Sequence, residues 1–247
     1  MSKGDEKQMT FLEHLEELRW TIVWIIIATA AGTGVAWCFS NDVLELVSRD
    51  LSGILEAVLG QGQSYDLHVF EVAEAFTTKL KISLLIGFLI VLPFNIYKVW
   101  QFVSPGLFTR EKRTAGPLVF LSIILFYCGV LFAYLIMVKL TVAFLFRLKP
   151  PEVTATLRMG SYISFITRFC ITFGLVFQLP LVLAVLSWMG LVTTSTLKKG
   201  WRYAVVGVLI VSAVLTPPDI ISQVLLTLPV LGLYWVGYFL AKAFEKR

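Results

Sequence analysis

Charge is what this chain has least of. Of its 247 residues 15% are Asp, Glu, Lys or Arg, 57% are hydrophobic, and the mean hydropathy is +0.82. A soluble domain carries roughly 25% charged and about 45–50% apolar residues. Histidine is equally scarce. The two present, His14 and His68, lie outside the apolar runs, which excludes a Ser–His dyad inside a membrane and HExxH zinc chemistry. The three cysteines, Cys38, Cys128 and Cys170, sit inside apolar runs with no CxxC spacing. A disulfide framework and a Cys/His metal site are excluded with them, and each behaves as a small hydrophobe. No Asp falls within an apolar run, which removes an intramembrane aspartyl dyad, and Gly-x-Ser-x-Gly and P-loop patterns are absent. These absences predict a protein that is not an enzyme and uses neither metal nor cofactor.

The apolar residues that are present fall into long runs. A bilayer core of roughly 30 Å needs about 20 helical residues. Charge-free stretches predict an all-α integral membrane protein with spans at about 20–39, 82–98, 114–138, 169–192, 203–218 and 220–241. The second and fifth are short for a bilayer. Pro217 and Pro218 remove two backbone donors and, with Asp219, mark a tight turn between the last two spans. No soluble domain is left over, and no internal repeat supports an inverted-repeat transporter.

Basic residues orient the chain. Of the 21 Lys and Arg, 13 lie in the N-terminal tail, second and fourth loops and C-terminus, against 8 in the first and third loops. That asymmetry predicts both termini in the cytoplasm. The net charge of +5 flanks apolar runs without interleaved aromatics, so nucleic acid is not an expected partner and the lipid bilayer is. The polar opening, with Glu6, Glu13, Glu16 and Glu17, is unlike a basic n-region, so the first span is expected to be its own insertion signal. A bacterial plasma membrane suits this.

Two helices are predicted outside the spans. Thr10 and Glu13 form a capping box, and Phe11, Leu12, Leu15, Leu18 and Ile22 line one face of a tail helix over about 10–19. Val43, Leu44, Val47, Leu51, Ile54, Leu55 and Val58 predict an amphipathic helix over about 42–59 in the first external loop.

A few polar residues remain to be explained. Glu13 and Glu17 are a like-charge i,i+4 pair, costing about 0.2–0.5 kcal/mol. The helix dipole accounts for Glu13 but poorly for Glu17 in the second turn, so either solvation or a cationic partner fits the patch. Glu111 stands among Arg110, Lys112 and Arg113, where local charge compensation is the simpler alternative. Gln178 and Gln223 lie in apolar runs and need hydrogen-bond partners, which other helices can supply. Thr216 and Gln223 each stand four residues from a second hydroxyl residue, Ser212 and Thr227, making polar stripes at helical spacing.

Five ordered segments resemble one known family. They are His14-Leu15-Glu16-Glu17-Leu18-Arg19, Lys81-Ile82-Ser83, and Trp100 to Leu107 running on to Glu111-Lys112-Arg113. Phe173-Gly174-Leu175-Val176-Phe177-Gln178-Leu179-Pro180 and Leu215-Thr216-Pro217-Pro218-Asp219 with Ser222-Gln223 complete the set. The chain is similar over about residues 10–242 to TatC, the large polytopic subunit of the twin-arginine protein translocase. The resemblance implies a glove-shaped bundle of six helices that receives folded cargo with paired arginines in its signal peptides. It implies Glu17, Arg19, Phe102 and Glu111 as signal-peptide-binding residues. It further implies Thr216 and Gln223 as docking points for the single-span subunits TatA and TatB in a multimeric complex driven by the proton-motive force. Two positions depart from the family pattern: Gln178 and Trp235 stand where many members have glutamate. A transporter or channel would need an ionisable mid-membrane pathway, which the predicted spans lack, and a structural scaffold would leave the acidic tail unexplained.

Overall fold

The computed structural model describes residues 11–59, 67–68, 72–103, 115–148, 157–215 and 220–244. Its first element, α1, is one continuous helix, Phe11–Leu59. At 1.5 Å per residue it is about 74 Å long, far beyond a bilayer core. The predicted tail helix, first span and external amphipathic helix are therefore three stretches of one rod. The reason lies in their junctions, which contain neither Pro nor Gly; at the second, the Ser40 hydroxyl donates to the Trp37 carbonyl at 2.7 Å and keeps its polar group inside the helix. The amphipathic face is real: Val47, Leu51 and Leu55 are buried in the core.

The second helix, α2, spans Val72–Val103, longer than the predicted span at both ends. Lysines mark the ends of the charge-free run without ending the helix, because their stems stay in apolar surroundings while the ammonium finds a partner. Lys79 Nζ, for example, lies 4.8 Å over the Trp37 ring. α1 and α2 pack backbone to backbone where Gly32 meets Gly87; a Cβ on Gly32 would stand 2.5 Å from the Gly87 carbonyl oxygen. Small residues allow this approach in membrane bundles, where close packing and not hydrophobicity drives association.

The third pass runs on past the predicted 138: α3 (Ala115–Phe132) passes through a π-helical segment (Ala133–Val138) into α4 (Lys139–Arg147). The fourth begins ten residues before the predicted 169 and is interrupted. α5 (Met159–Val176) ends at Phe177–Gln178, and α6 (Leu179–Trp188) begins with Pro180, whose missing N–H breaks the ladder. Arg168, placed by the sequence at the edge of a span, thus lies inside α5. α7 (Thr194–Leu215) and α8 (Ile220–Phe244) complete the chain, tied by the Tyr234 hydroxyl donating to the Leu197 carbonyl at 2.8 Å. A two-residue parallel pairing, β1 (Leu67–His68) with β2 (Leu157–Arg158), joins the segments leading into α2 and α5. All else described is helix or turn.

Among the described residues five helical passes are long and apolar enough to cross a membrane. They are α1, α2, α3 through α4, α5 with α6, and α8; α7 carries Lys198, Lys199 and Arg202 in its first half. The core centres on α5, where Ile163, Ile166, Phe169 and Phe173 are buried against α2, α3 and the π segment. The predicted turn at Pro217, Pro218 and Asp219 lies outside the described residues.

Candidate functional site

One end of the bundle gathers acid and aromatic side chains. His14 of α1 stacks on Phe102, near the end of α2, with ring centroids 4.3 Å apart and planes at 11°. One turn along α1, the Glu17 carboxylate lies 3.8 Å from His14 Nδ1. Its Oε2 is shielded from solvent and accepts no hydrogen bond among the described residues. An acceptor in that condition costs free energy, all the more when it is ionised. The structure thus brings Glu17 and Phe102 together through His14. Arg19 is exposed and lies about 200° further round α1 from Glu17, on the opposite face. Glu111 lies outside the described residues. The i,i+3 spacing of His14 and Glu17, which puts both on one helix face, is the signal in the sequence for this contact.

Next to this end runs an apolar groove of about 550 Å³, lined among others by Ile25, Val99, Trp100, Val103, Asn95 and Gln178. Gln178 sits at the break between α5 and α6, and its Nε2 donates to the Ser122 carbonyl of α3 at 3.1 Å. Trp100 Nε1 donates to the Ser122 hydroxyl at 2.9 Å. Asn95, a polar residue in the predicted second span, is buried and donates to Thr29 Oγ1 at 3.3 Å, while its Oδ1 has no partner among the described residues. Gln178→Leu removes one interhelical bond, so it should lower stability by about 0.6–2 kcal/mol and reduce export modestly, whereas Gln178→Glu should retain export. Thermal unfolding of the purified variants, beside an export assay, checks this. Full stability and activity in the leucine variant would reduce the amide to filler.

At α7–α8 the polar stripe faces inward. Gln223 Nε2 donates to the Leu209 carbonyl at 3.0 Å, and the Ser212 and Thr227 hydroxyls are 3.2 Å apart in a buried pair. These partners come from the neighbouring helix of the same chain. Thr216 lies outside the described residues.

Fold and site define a multi-pass helical membrane protein whose polar groups form no catalytic constellation among the described residues. The family profile described as Sec-independent protein translocase protein (TatC) matches residues 13–229, and the chain belongs to the TatC family. It is 37% identical over 248 residues to the TatC protein of Desulforapulum autotrophicum, covering 100% of this chain and 89% of that one. The Escherichia coli K12 protein is 33% identical over 237 residues, covering 96% and 90%. A solved structure described as the twin arginine translocase receptor TatC superposes with a TM-score of 0.82 at 35% identity, covering 95% of this chain and 100% of that one. The chain is accordingly a non-enzymatic component of a protein translocase, working in complex with other Tat subunits.

Proposed function

We propose that this chain is the receptor that binds twin-arginine signal peptides of folded proteins and nucleates their proton-motive-force-driven export across the bacterial plasma membrane. One observation carries the reading: Glu17 holds a shielded carboxylate oxygen with no donor among the described residues, beside an aromatic ring already stacked by a planar side chain. A guanidinium fits both demands, since its fork bonds a carboxylate and its plane stacks on an aromatic face. Glu111 supplies the second acid. The apolar groove beside the site suits the hydrophobic stretch that follows the basic end of a signal peptide.

Site-specific photo-crosslinking tests this. Probes at positions 17, 102 and 111 should capture a twin-arginine precursor, and a probe at 161, at the other end of the bundle, should not. Capture from 161 alone would overturn the site.

The proposed topology has six crossings, with α7 as the fifth, and both termini cytoplasmic. Reporter fusions at Arg113 and Lys199 should read cytoplasmic, and fusions near Gln61 and Pro151 external; the reverse pattern would invert the receptor. For TatA and TatB, we infer docking on the outer face of α7 and α8, where Val206, Ile210, Val224 and Leu228 are exposed. Gln223, bonded to Leu209, borders that face, and with Thr216 it is proposed as a docking point. Cysteine at position 213, also exposed, should crosslink to the partner's span.

A further inference from the structure

The end of the bundle opposite Glu17 holds a polar pocket that the receptor reading leaves unused. It has a volume of about 320 Å³ and lies between the first turns of α2 and α5, bordered by Glu74, Lys81, Arg158, Ser161, Ser164 and Arg168. Glu74 is 6% exposed and already engaged: its Oε1 accepts from Arg158 Nε at 2.9 Å and from the Gly160 N–H at 3.0 Å. It thereby caps α5, whose own cap residue Arg158 makes no side-chain capping bond. Gly160 permits the approach, since a Cβ there would stand 2.8 Å from Glu74 Oε1. Lys81 Nζ donates to the Ser164 hydroxyl at 2.9 Å, and that hydroxyl donates to the Gly160 carbonyl at 2.6 Å.

The charge count is unbalanced. Three cations line the pocket against one carboxylate, and neither Lys81 nor Arg168 forms an ion pair among the described residues. Both stand about 13 Å along their helices from the first residue of α2 and α5, immediately before the apolar runs that begin at Ile82 and Phe169. Lys and Arg in such positions reach toward the interface, where the available anion is a lipid phosphate. A guanidinium fork, an ammonium and the Ser161 hydroxyl together match phosphate oxygens, and the membrane-facing position favours a phosphate that arrives on a lipid.

We infer that this pocket is a binding site for a phosphate group, borne by a phospholipid in the leaflet at which α2 and α5 begin, with Lys81 and Arg168 as its cationic ligands. The site is independent of the signal-peptide reading, since it lies toward the other end of α2, with Lys81 about 32 Å from Phe102 along the helix.

Native mass spectrometry of the delipidated full chain with added phosphatidylglycerol tests the assignment, alongside thermal unfolding. The wild type should retain one lipid under activation that strips the rest, and its melting temperature should rise with phosphatidylglycerol. The double variant Lys81→Gln/Arg168→Gln should lose at least tenfold in retained lipid. Lys198→Gln/Lys199→Gln, which removes the same charge from α7, should match the wild type. Arg168→Lys, which keeps charge but loses the fork, should fall between, and it guards against a double variant that does not fold. Diacylglycerol with the same chains should not be retained. Equal retention by the two double variants, or equal retention of diacylglycerol, would overturn the phosphate site. Inorganic phosphate giving the whole thermal protection by itself would overturn the lipid as its source.

Discussion

Glu17→Gln is expected to weaken binding of a twin-arginine precursor by about ten- to a hundredfold while leaving the protein inserted and folded. The size follows from losing a charge-assisted, two-pronged hydrogen bond, about 1.5–3 kcal/mol. The glutamine keeps the shape of the side chain and one acceptor, so packing beside Phe102 is preserved and the change isolates charge. His14, 3.8 Å from the carboxylate, cannot replace the lost anion, since an imidazole is never an acceptor-only anion. Glu111→Ala should act in the same direction, and Glu111→Lys more strongly, because a like charge then faces the arginines. Precursor affinity measured on the purified complex, with twin-arginine and twin-lysine signals in parallel, decides the matter. The acid substitutions should hurt the twin-arginine signal far more, because lysine lacks the planar fork. Equal losses for the two signals would show that Glu17 acts through general charge and not through the proposed pairing.

Gly87→Leu is expected to abolish accumulation of folded protein, the largest structural effect of any single change considered. A Cβ at Gly87 would fall on the α1 backbone at Gly32 and Thr33, which has no rotamer with which to move aside. The two helices would have to separate along the seam that aligns His14 with Phe102. Overpacking a core usually costs about 1–3 kcal/mol when side chains can give way; against backbone the cost lies at or above the top of that range. Gly34, whose Cβ would meet nothing within 4 Å, is the matched control, and Gly34→Leu should be tolerated. Protease resistance and detergent-solubilised melting temperature of the two variants provide the comparison. A Gly87→Leu protein as stable as Gly34→Leu would mean that α1 and α2 do not pack through this seam.

Much of the architecture was legible in the residues. Long apolar runs dictate membrane helices because no unpaired backbone group is tolerated in lipid, and that demand is local to each run. The polar exceptions Gln178 and Gln223 were legible for the same reason, and Glu17 by its place in the second turn of the tail helix, whereas Phe102 entered only through the family resemblance. Helix ends were less legible. Charge-free runs stop at Lys81, Lys98 and Arg168, yet the helices continue, because long basic side chains carry their charge away from the backbone that bears them. The continuity of α1 was missed likewise, since a change of solvent along a helix is not a break in its hydrogen bonds.

By itself, then, the sequence determined that the chain is a multi-pass helical membrane protein without catalytic groups, and its ordered motifs determined the family. Only the tertiary structure decided which polar groups were already satisfied. Gln223 and the Ser212–Thr227 pair find partners across the α7–α8 hairpin, and Glu74 is consumed by Arg158 and Gly160, residues 84 and 86 positions away. Glu17 Oε2 remains without a donor, and Lys81 and Arg168 without a counter-charge, among the described residues. Composition and spacing cannot separate these cases, because a hydrogen bond or ion pair depends on distances of about 3–4 Å between groups that only the packing of distant helices brings together.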